Sequence, residues 1–398
     1  MFAKDCSRFF KLIDTELVLI LLVHRNQLVS ARLKNNSRCD FISHTESSRS
    51  GADGCEIIQI INYLVTQGLT TMYDPHCVSF IVPYQASSTI LAKCYESILQ
   101  QKDAGLQIEI VLVEGAGAQK LTSALKLSTT TVVVKVAGLG AAQARNTGLT
   151  VARGKWIAFV DSDTVLADDW LSTLSALMRT HHCAGAQGLL ITTATSADST
   201  FARFRKLQDT FGEQGMLNAK LFLPVLNTAA CLYDREKLGE LRFTTQLRAV
   251  EDMELSWRLL MAHKVSWLYT KRTSATCFYF PESIFDFCLR NFRIGKSYVE
   301  LFRALPTSHL KSAQVSSSKI YPWFFSELKK ATRSSDLAQW GRALCSFTFW
   351  LGTLVGDKAL PQLPAPQGAH RLIIYDDSFE RIDLATGARW SVGGLTHE

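Results

Sequence analysis

Three stretches of this chain carry residues that could do chemistry. The first is Trp156 to Asp163, Trp-Ile-Ala-Phe-Val-Asp-Ser-Asp, in which a short apolar run ends in two carboxylates. A turn leaving a strand can aim Asp161 and Asp163 at one point, which suits a hard divalent cation carrying phosphate oxygens. One carboxylate would then hold the metal and the other a sugar hydroxyl. Alone, an Asp-x-Asp turn is more often a solvated turn capping the next helix. The second stretch is Glu251-Asp252-Met253-Glu254, at the start of a helical pattern running to Leu260. Three acids in a first turn are favoured by the helix dipole and, taken alone, make only a good helix start. The third is Ala137 to Gly148, a Gly-rich turn opening a helix, where free backbone N–H groups favour an anion and Arg145 adds a fixed positive charge. As a dinucleotide fingerprint this turn fails, because Gln143 stands where the third glycine is needed and no first strand leads into it. An oxidoreductase built on it would also leave both acid clusters without use.

The elements that must position these residues read as alternating strands and helices. Val78–Val82 is an apolar strand closed by Pro83, and Ile90, Leu91, Cys94, Ile98 and Leu99 mark one face of a helix. Ile108–Val113 and Thr131–Val136 give two more strands, the first ending at Glu114 and Gly115. Ile157–Val160 reads as a buried parallel strand whose carboxyl end reaches the sheet edge, where open α/β sheets bind ligands. Helices are expected from Asp168 to Met178 and Thr200 to Phe211, and strands at Gly185–Thr192 and Asn227–Tyr233. The fold class is α/β, with a mostly parallel sheet flanked by helices.

Residues 1–76 read as a separate small α+β module, resembling a winged helix: two apolar stretches, a polar loop, and a helix from Cys55 to Gly68. Residues 77–300 form the main domain. Residues 301–398 begin as a helical, moderately basic extension and end in a strand-rich tail from Leu372 to Val392. At 398 residues, 47% hydrophobic and 20% charged, the chain can build one large core with smaller attachments. A formal net charge of +7 suits an anionic substrate or a membrane surface and falls well short of a nucleic-acid signature. The ten cysteines include no Cys-x-x-Cys pair, suggest neither a zinc site nor a disulfide framework, and fit a reducing cytoplasm. Leu337–Gly356 is broken by Gln339, Arg342 and Ser346, so it reads as a buried or interfacial helix rather than a membrane span.

Taken in order, Val-Ser-Phe-Ile-Val-Pro, Ile-Glu-Ile-Val-Leu-Val-Glu-Gly, Ala-Arg-Asn-Thr-Gly-Leu, Ala-Phe-Val-Asp-Ser-Asp and Glu-Asp-Met-Glu-Leu-Ser-Trp-Arg-Leu resemble the family 2 inverting glycosyltransferases of GT-A, Rossmann-like fold. The resemblance covers about residues 77 to 300. It implies a nucleotide-sugar donor, a divalent Mg or Mn ion, and transfer with inversion to an acceptor hydroxyl. By the same resemblance Pro83 and Tyr84 flank the uridine of a UDP-sugar, Glu114 and Asn146 join the donor side, and Arg145 lies near the diphosphate. Asp161 holds the ribose or donor sugar and Asp163 the metal. Asp252 is the general base, expected to stay ionised near neutral pH at its helix start, and Asn227, Glu251 and Arg258 face the acceptor. The chain departs from the family pattern where Glu114 is followed by Gly115 instead of a second acid, and where Cys277-Phe278-Tyr279 replaces a histidine before the last helix. The proline often found after the Asp-x-Asp turn is also absent.

Two stretches resemble a narrower group. The N-terminal module, ending Tyr63–Leu69, is similar to small peptide-binding domains of modified-peptide pathways, and Asn291–Ser297 with Leu305-Pro306 resembles mycofactocin-type glycosyltransferases. The acceptor is accordingly a glycan, a peptide-derived cofactor or a lipid-linked group, with peripheral contact to the inner membrane face as one arrangement. The competing reading is a non-catalytic binding module that kept the fold.

Overall fold

The computed structural model describes residues 73–85, 89–101, 105–118, 125–136, 140–192, 225–262, 267–278, 284–306, 325–333, 337–355, 360–363, 370–375, 378–383 and 389–392. Residues 1–72 of the expected N-terminal module, the Thr200–Phe211 helix and residues 137–139 of the Gly-rich turn lie outside these residues.

The chain runs β1 (Asp74–Tyr84), α1 (Thr89–Leu99), β2 (Gln107–Glu114), β3 (Thr131–Lys135), α2 (Ala141–Val151), β4 (Gly154–Val160) and β5 (Thr164–Leu166). It continues through α3 (Trp170–His181), β6 (Gly185–Thr192), β7 (Ala230–Asp234), α4 (Arg235–Leu238), α5 (Glu251–Ala262), β8 (Trp267–Cys277) and α6 (Ile284–Ala304). Helix α7 (Leu337–Leu354) and strands β9 (His370–Tyr375), β10 (Ser378–Asp383) and β11 (Arg389–Val392) complete it.

All the strands join one sheet in the order β11-β10-β9-β8-β6-β7-β4-β1-β2-β3, with β5 paired to β8 off that path. Strands β4, β1, β2 and β3 are mutually parallel, with α1 carrying the chain from β1 to β2 and α2 from β3 to β4. Beyond them parallel pairs, β6 with β8 and β8 with β9, stand alongside antiparallel ones. Strand β7 runs antiparallel between β4 and β6, and the tail strands β9–β11 form an antiparallel meander whose first member pairs in parallel with β8. Strand β1 also runs past Pro83 instead of stopping there. Its ladder to β4 ends at Ile81, so the missing N–H of Pro83 falls where only β2 remains as neighbour.

Both faces of the sheet are covered, which is why its central strands are apolar without alternation. On one face Val78, Phe80, Val82, Ala158 and Val160 pack with Leu91, Cys94 and Ile98 of α1 and Trp170, Leu171 and Leu174 of α3. On the other, Ile81, Val111, Ile157 and Phe159 pack with Leu149 of α2 and Leu255, Leu259 and Leu260 of α5. Gly148 lets α2 sit close over the sheet, since a Cβ there would come 2.4 Å from Ile81 Cγ2. The carbonyls at the end of α2 are capped by Arg235, whose Nη1 and Nη2 donate to Ala152 O and Leu149 O at 2.5 and 3.2 Å.

The opposite side of α5 is buried too. Trp257 packs with Tyr298, Phe302 and Leu305 from α6 and its end, joined by Val250, Met253 and Phe349. Helices α6 and α7 cross through two glycines. A Cβ on Gly295 would lie 2.0 Å from Phe349 O, and one on Gly352 would lie 2.1 Å from Phe292 O. Gly295-Lys296-Ser297 is thus a helix-crossing point and not a phosphate loop. Among the described residues, no helix is long and apolar enough to cross a membrane.

Candidate active site

The Asp161–Asp163 turn is held from several directions at the carboxyl end of β4. Asp161 N donates to Ala229 O at 3.0 Å, and Thr164 N closes the turn onto Asp161 O at 3.0 Å. Strand β5, immediately after the turn, is fixed to β8 opposite Cys277, and Phe278 N donates to Asp163 O at 2.6 Å. From α1, Cys94 Sγ lies 3.6 Å from Asp161 O, and Ser97 Oγ accepts from Leu166 N at 3.1 Å. Sequence therefore sets the acids, and the β5–β8 pairing sets where they stand.

Arg145 is the centre of the site. It projects from α2, is 3% exposed, and donates through Nη2 to Asp161 Oδ1 at 2.7 Å and through Nη1 to Glu251 Oε1 at 2.6 Å. Its Cζ stands 5.6 Å from the Phe243 ring centroid, and its Nε is buried without a hydrogen-bond partner. Burial alone would pull the guanidinium pKa down, but Asp161 and Glu251 outweigh that and hold it above its ordinary value. Both terminal nitrogens are thus engaged by carboxylates.

Asp252, next to Glu251, accepts from the backbone N–H of Met253 at 2.8 Å and from that of Thr228. Burial and the like charge of Glu251 push its carboxyl up to about 7, against the opposing pull of Arg145 and these two N–H donors. The expectation that a helix start keeps it fully ionised near neutral pH is corrected. A dipole and two donors stabilise the anion less than desolvation and a second carboxylate destabilise it. Immediately before the pair, Val250 adopts φ 57°, a left-handed conformation rare for a β-branched residue. It turns the chain so that Glu251 meets Arg145 while Val250 and Met253 pack with Trp257.

The other expected site residues divide. Tyr84 is 2% exposed and its hydroxyl donates to Glu114 Oε2 at 3.0 Å, with Lys135 Nζ 3.4 Å from Glu114 Oε1. The Tyr84 ring belongs to the core, and Pro83 beside it is half-buried. Asn146 exchanges two hydrogen bonds with the backbone of Phe243, at 2.9 and 2.8 Å, and so anchors a loop. Arg258 is bound to Glu254 on its own helix and to Arg242 O, which braces that loop. Asn227 is exposed, its side chain accepting from Ala229 N at 2.9 Å and its backbone N–H donating to Gln187 Oε1 at 2.7 Å. Thr228 and Phe243 belong to no motif, and only the fold brings them to Asp252 and Arg145.

Replacing Asn146 by alanine removes both bonds to Phe243 and is expected to lower stability by roughly 1–3 kcal/mol. Urea denaturation checks this, and an unchanged midpoint would deny the anchoring role.

A divalent cation fits the donor set at Asp163, a hard carboxylate oxygen on a braced turn. Among the described residues, no group of three or more His, Cys, Asp or Glu side chains is placed to hold a metal ion.

Residues 79–242 match the family model described as Glycosyl transferase family 2. Over those residues, from β1 to just beyond α4, the chain is similar to that family. The chain is 33% identical over 102 residues to Glycosyltransferase GlyG of Streptococcus pneumoniae, covering 24% of this chain and 33% of that protein. It is 22% identical over 199 residues to the poly(ribitol-phosphate) beta-N-acetylglucosaminyltransferase TarS of Staphylococcus aureus, covering 48% of this chain and 34% of that one. The chain thus spans about a third of the length of these curated relatives. Among solved structures it resembles the mannosyltransferase PcManGT from Pyrobaculum calidifontis in complex with GDP-Man and Mn2+, at 13% identity and a TM-score of 0.46 over 77% of this chain and 97% of that one. The family match takes in Arg145, Asp161 and Asp163 and ends before Glu251 and Asp252.

Proposed function

We propose that this protein transfers a glycosyl group from a nucleoside-diphosphate sugar to an acceptor hydroxyl, with inversion. The observation that carries the reading is the junction at Arg145, which brings the Asp161 turn of the matched segment against the Glu251-Asp252 pair. A displacement at an anomeric carbon needs a donor-holding side and, across from it, a base for the incoming hydroxyl.

Asp252 is assigned as that base. It takes the acceptor's proton as the acceptor oxygen bonds to the anomeric carbon, and the bond from that carbon to the diphosphate breaks with its electron pair leaving on the nucleotide. A pKa of about 7 suits this task, because such a carboxylate is basic enough to accept the proton and still ionised in a large fraction at neutral pH. Asp161 holds the ribose or donor sugar through the part of its carboxylate not taken by Arg145; its side chain is 39% exposed. Asp163 would hold a Mg or Mn ion, whose chemistry is to neutralise the departing diphosphate. The acceptor is a glycan, a peptide-derived group or a lipid-linked group. The resemblance of Asn291–Ser297 to mycofactocin-type enzymes motivates the peptide-derived case, although Gly295 is already accounted for by helix packing.

A thermal-shift panel of nucleotide sugars, with and without Mn, tests the assignment, since a ligand that binds only the native state raises the melting temperature by mass action. One donor is expected to do so in the presence of Mn, with UDP-sugars the first choice. No shift with any nucleotide sugar would overturn the reading.

A further inference from the structure

We propose that Arg145 is a positioning residue that joins the Asp161 side and the Glu251 side of the site into one unit, so that a group taken up at one acid is felt at the other. The ligand half of this rests on the glycosyltransferase reading; the clamp itself does not.

Three elements far apart in sequence meet at this guanidinium. Asp161 lies 16 residues away at the end of β4, and Glu251 lies 106 residues away at the start of α5. Each terminal nitrogen serves a different carboxylate in a short charge-assisted bond, a geometry set by the two separated nitrogens of a planar fork that a single ammonium nitrogen does not reproduce. The arginine side chain is 4% exposed and that of Glu251 12%, so solvent screens this pair little. Asp161 is the most open of the three at 39%, and an incoming group meets it first. A group that hydrogen-bonds Asp161 or draws charge from it changes what Arg145 can offer Glu251, and hence the charge beside Asp252. By reciprocity, a change at Glu251 must alter binding at Asp161 by the same factor. The buried Nε without a partner leaves the guanidinium no other acceptor among these contacts, so its orientation depends on the two acids.

The test has two arms. In the first, melting temperatures are measured for Asp161→Asn, Glu251→Gln and their double variant. The clamp predicts that the double variant loses more than the sum of the singles, because only then is a buried guanidinium left without either acid. Additive losses would overturn the clamp. In the second arm, UDP with Mn is titrated calorimetrically into wild type and Glu251→Gln, and again in an Arg145→Lys background. Glu251→Gln is expected to change the affinity roughly fivefold or more when Arg145 is present. With lysine in its place the change should fall below about twofold. Equal changes in both backgrounds would overturn the coupling. If Arg145→Lys does not fold, an unchanged affinity in Glu251→Gln alone overturns it. A wild type that takes up neither UDP nor any other nucleoside diphosphate with Mn overturns the ligand half together with the functional reading, while the melting cycle still decides the clamp.

Discussion

Replacing Asp252 by asparagine is expected to lower turnover by roughly 10²- to 10⁴-fold, because the amide keeps the shape and one acceptor oxygen but cannot take a proton. Donor affinity should stay near that of the wild type. The stability of the variant should move the other way. Asp252 has a folded pKa of about 7, above the ~3.9 of an unfolded aspartate, so between those values the native state holds a proton that the unfolded state has lost. Stability then falls as pH rises through that window and levels off above it. Asparagine carries no such charge. The variant is therefore expected to melt higher than wild type at pH 8, with the gap narrowing toward pH 5. For the wild type, the acceptor kcat/KM should rise with pH through about 7 as the base loses its proton. Paired melting curves and pH–rate profiles check both statements. A variant with near-normal turnover would remove Asp252 from catalysis, and one that melts lower at pH 8 than wild type would contradict the burial argument.

Replacing Asp163 by alanine is expected to abolish the Mn-dependent part of donor binding, since no hard oxygen ligand remains on that side chain. In a melting assay a nucleotide sugar at 100 times its Kd stabilises by about 2.7 kcal/mol, and the Mn-dependent share of that shift should disappear. The turn itself keeps its main-chain anchor, because Phe278 N donates to the Asp163 carbonyl and not to its carboxylate. The contrast with Asp252 is the informative comparison: Asp163→Ala should lose affinity and Asp252→Asn turnover. Unchanged affinity for donor plus Mn in Asp163→Ala would sink the metal assignment.

Much of this site was legible in the residues themselves. The apolar run before Asp161, the acids two residues apart, and the Glu251-Asp252 pair opening a helix are local patterns, and local patterns follow from strand and helix geometry. The parallel core of the sheet followed for the same reason, since strands separated by helical segments must return to the same edge. Partners were a different matter. Tyr84, Asn146 and Arg258 stand beside motif residues and were assigned to ligands, yet their polar atoms are already used by Glu114, by the Phe243 backbone, and by Glu254 with Arg242 O. A buried hydrogen-bonding group must be satisfied from whatever the fold brings near, and sequence spacing does not record that. The antiparallel placement of β7 and the parallel joining of β9 to β8 escaped notice because an apolar strand reads alike in either direction. By itself, then, the sequence determined which groups could do chemistry and which elements end in them. Only the tertiary structure decided that Arg145 faces two carboxylates and that Asp252 is neutral over part of the ordinary pH range. Charges interact through space, and the residues that set these energies, from position 145 to position 252, are neighbours only after the sheet and its helices have closed.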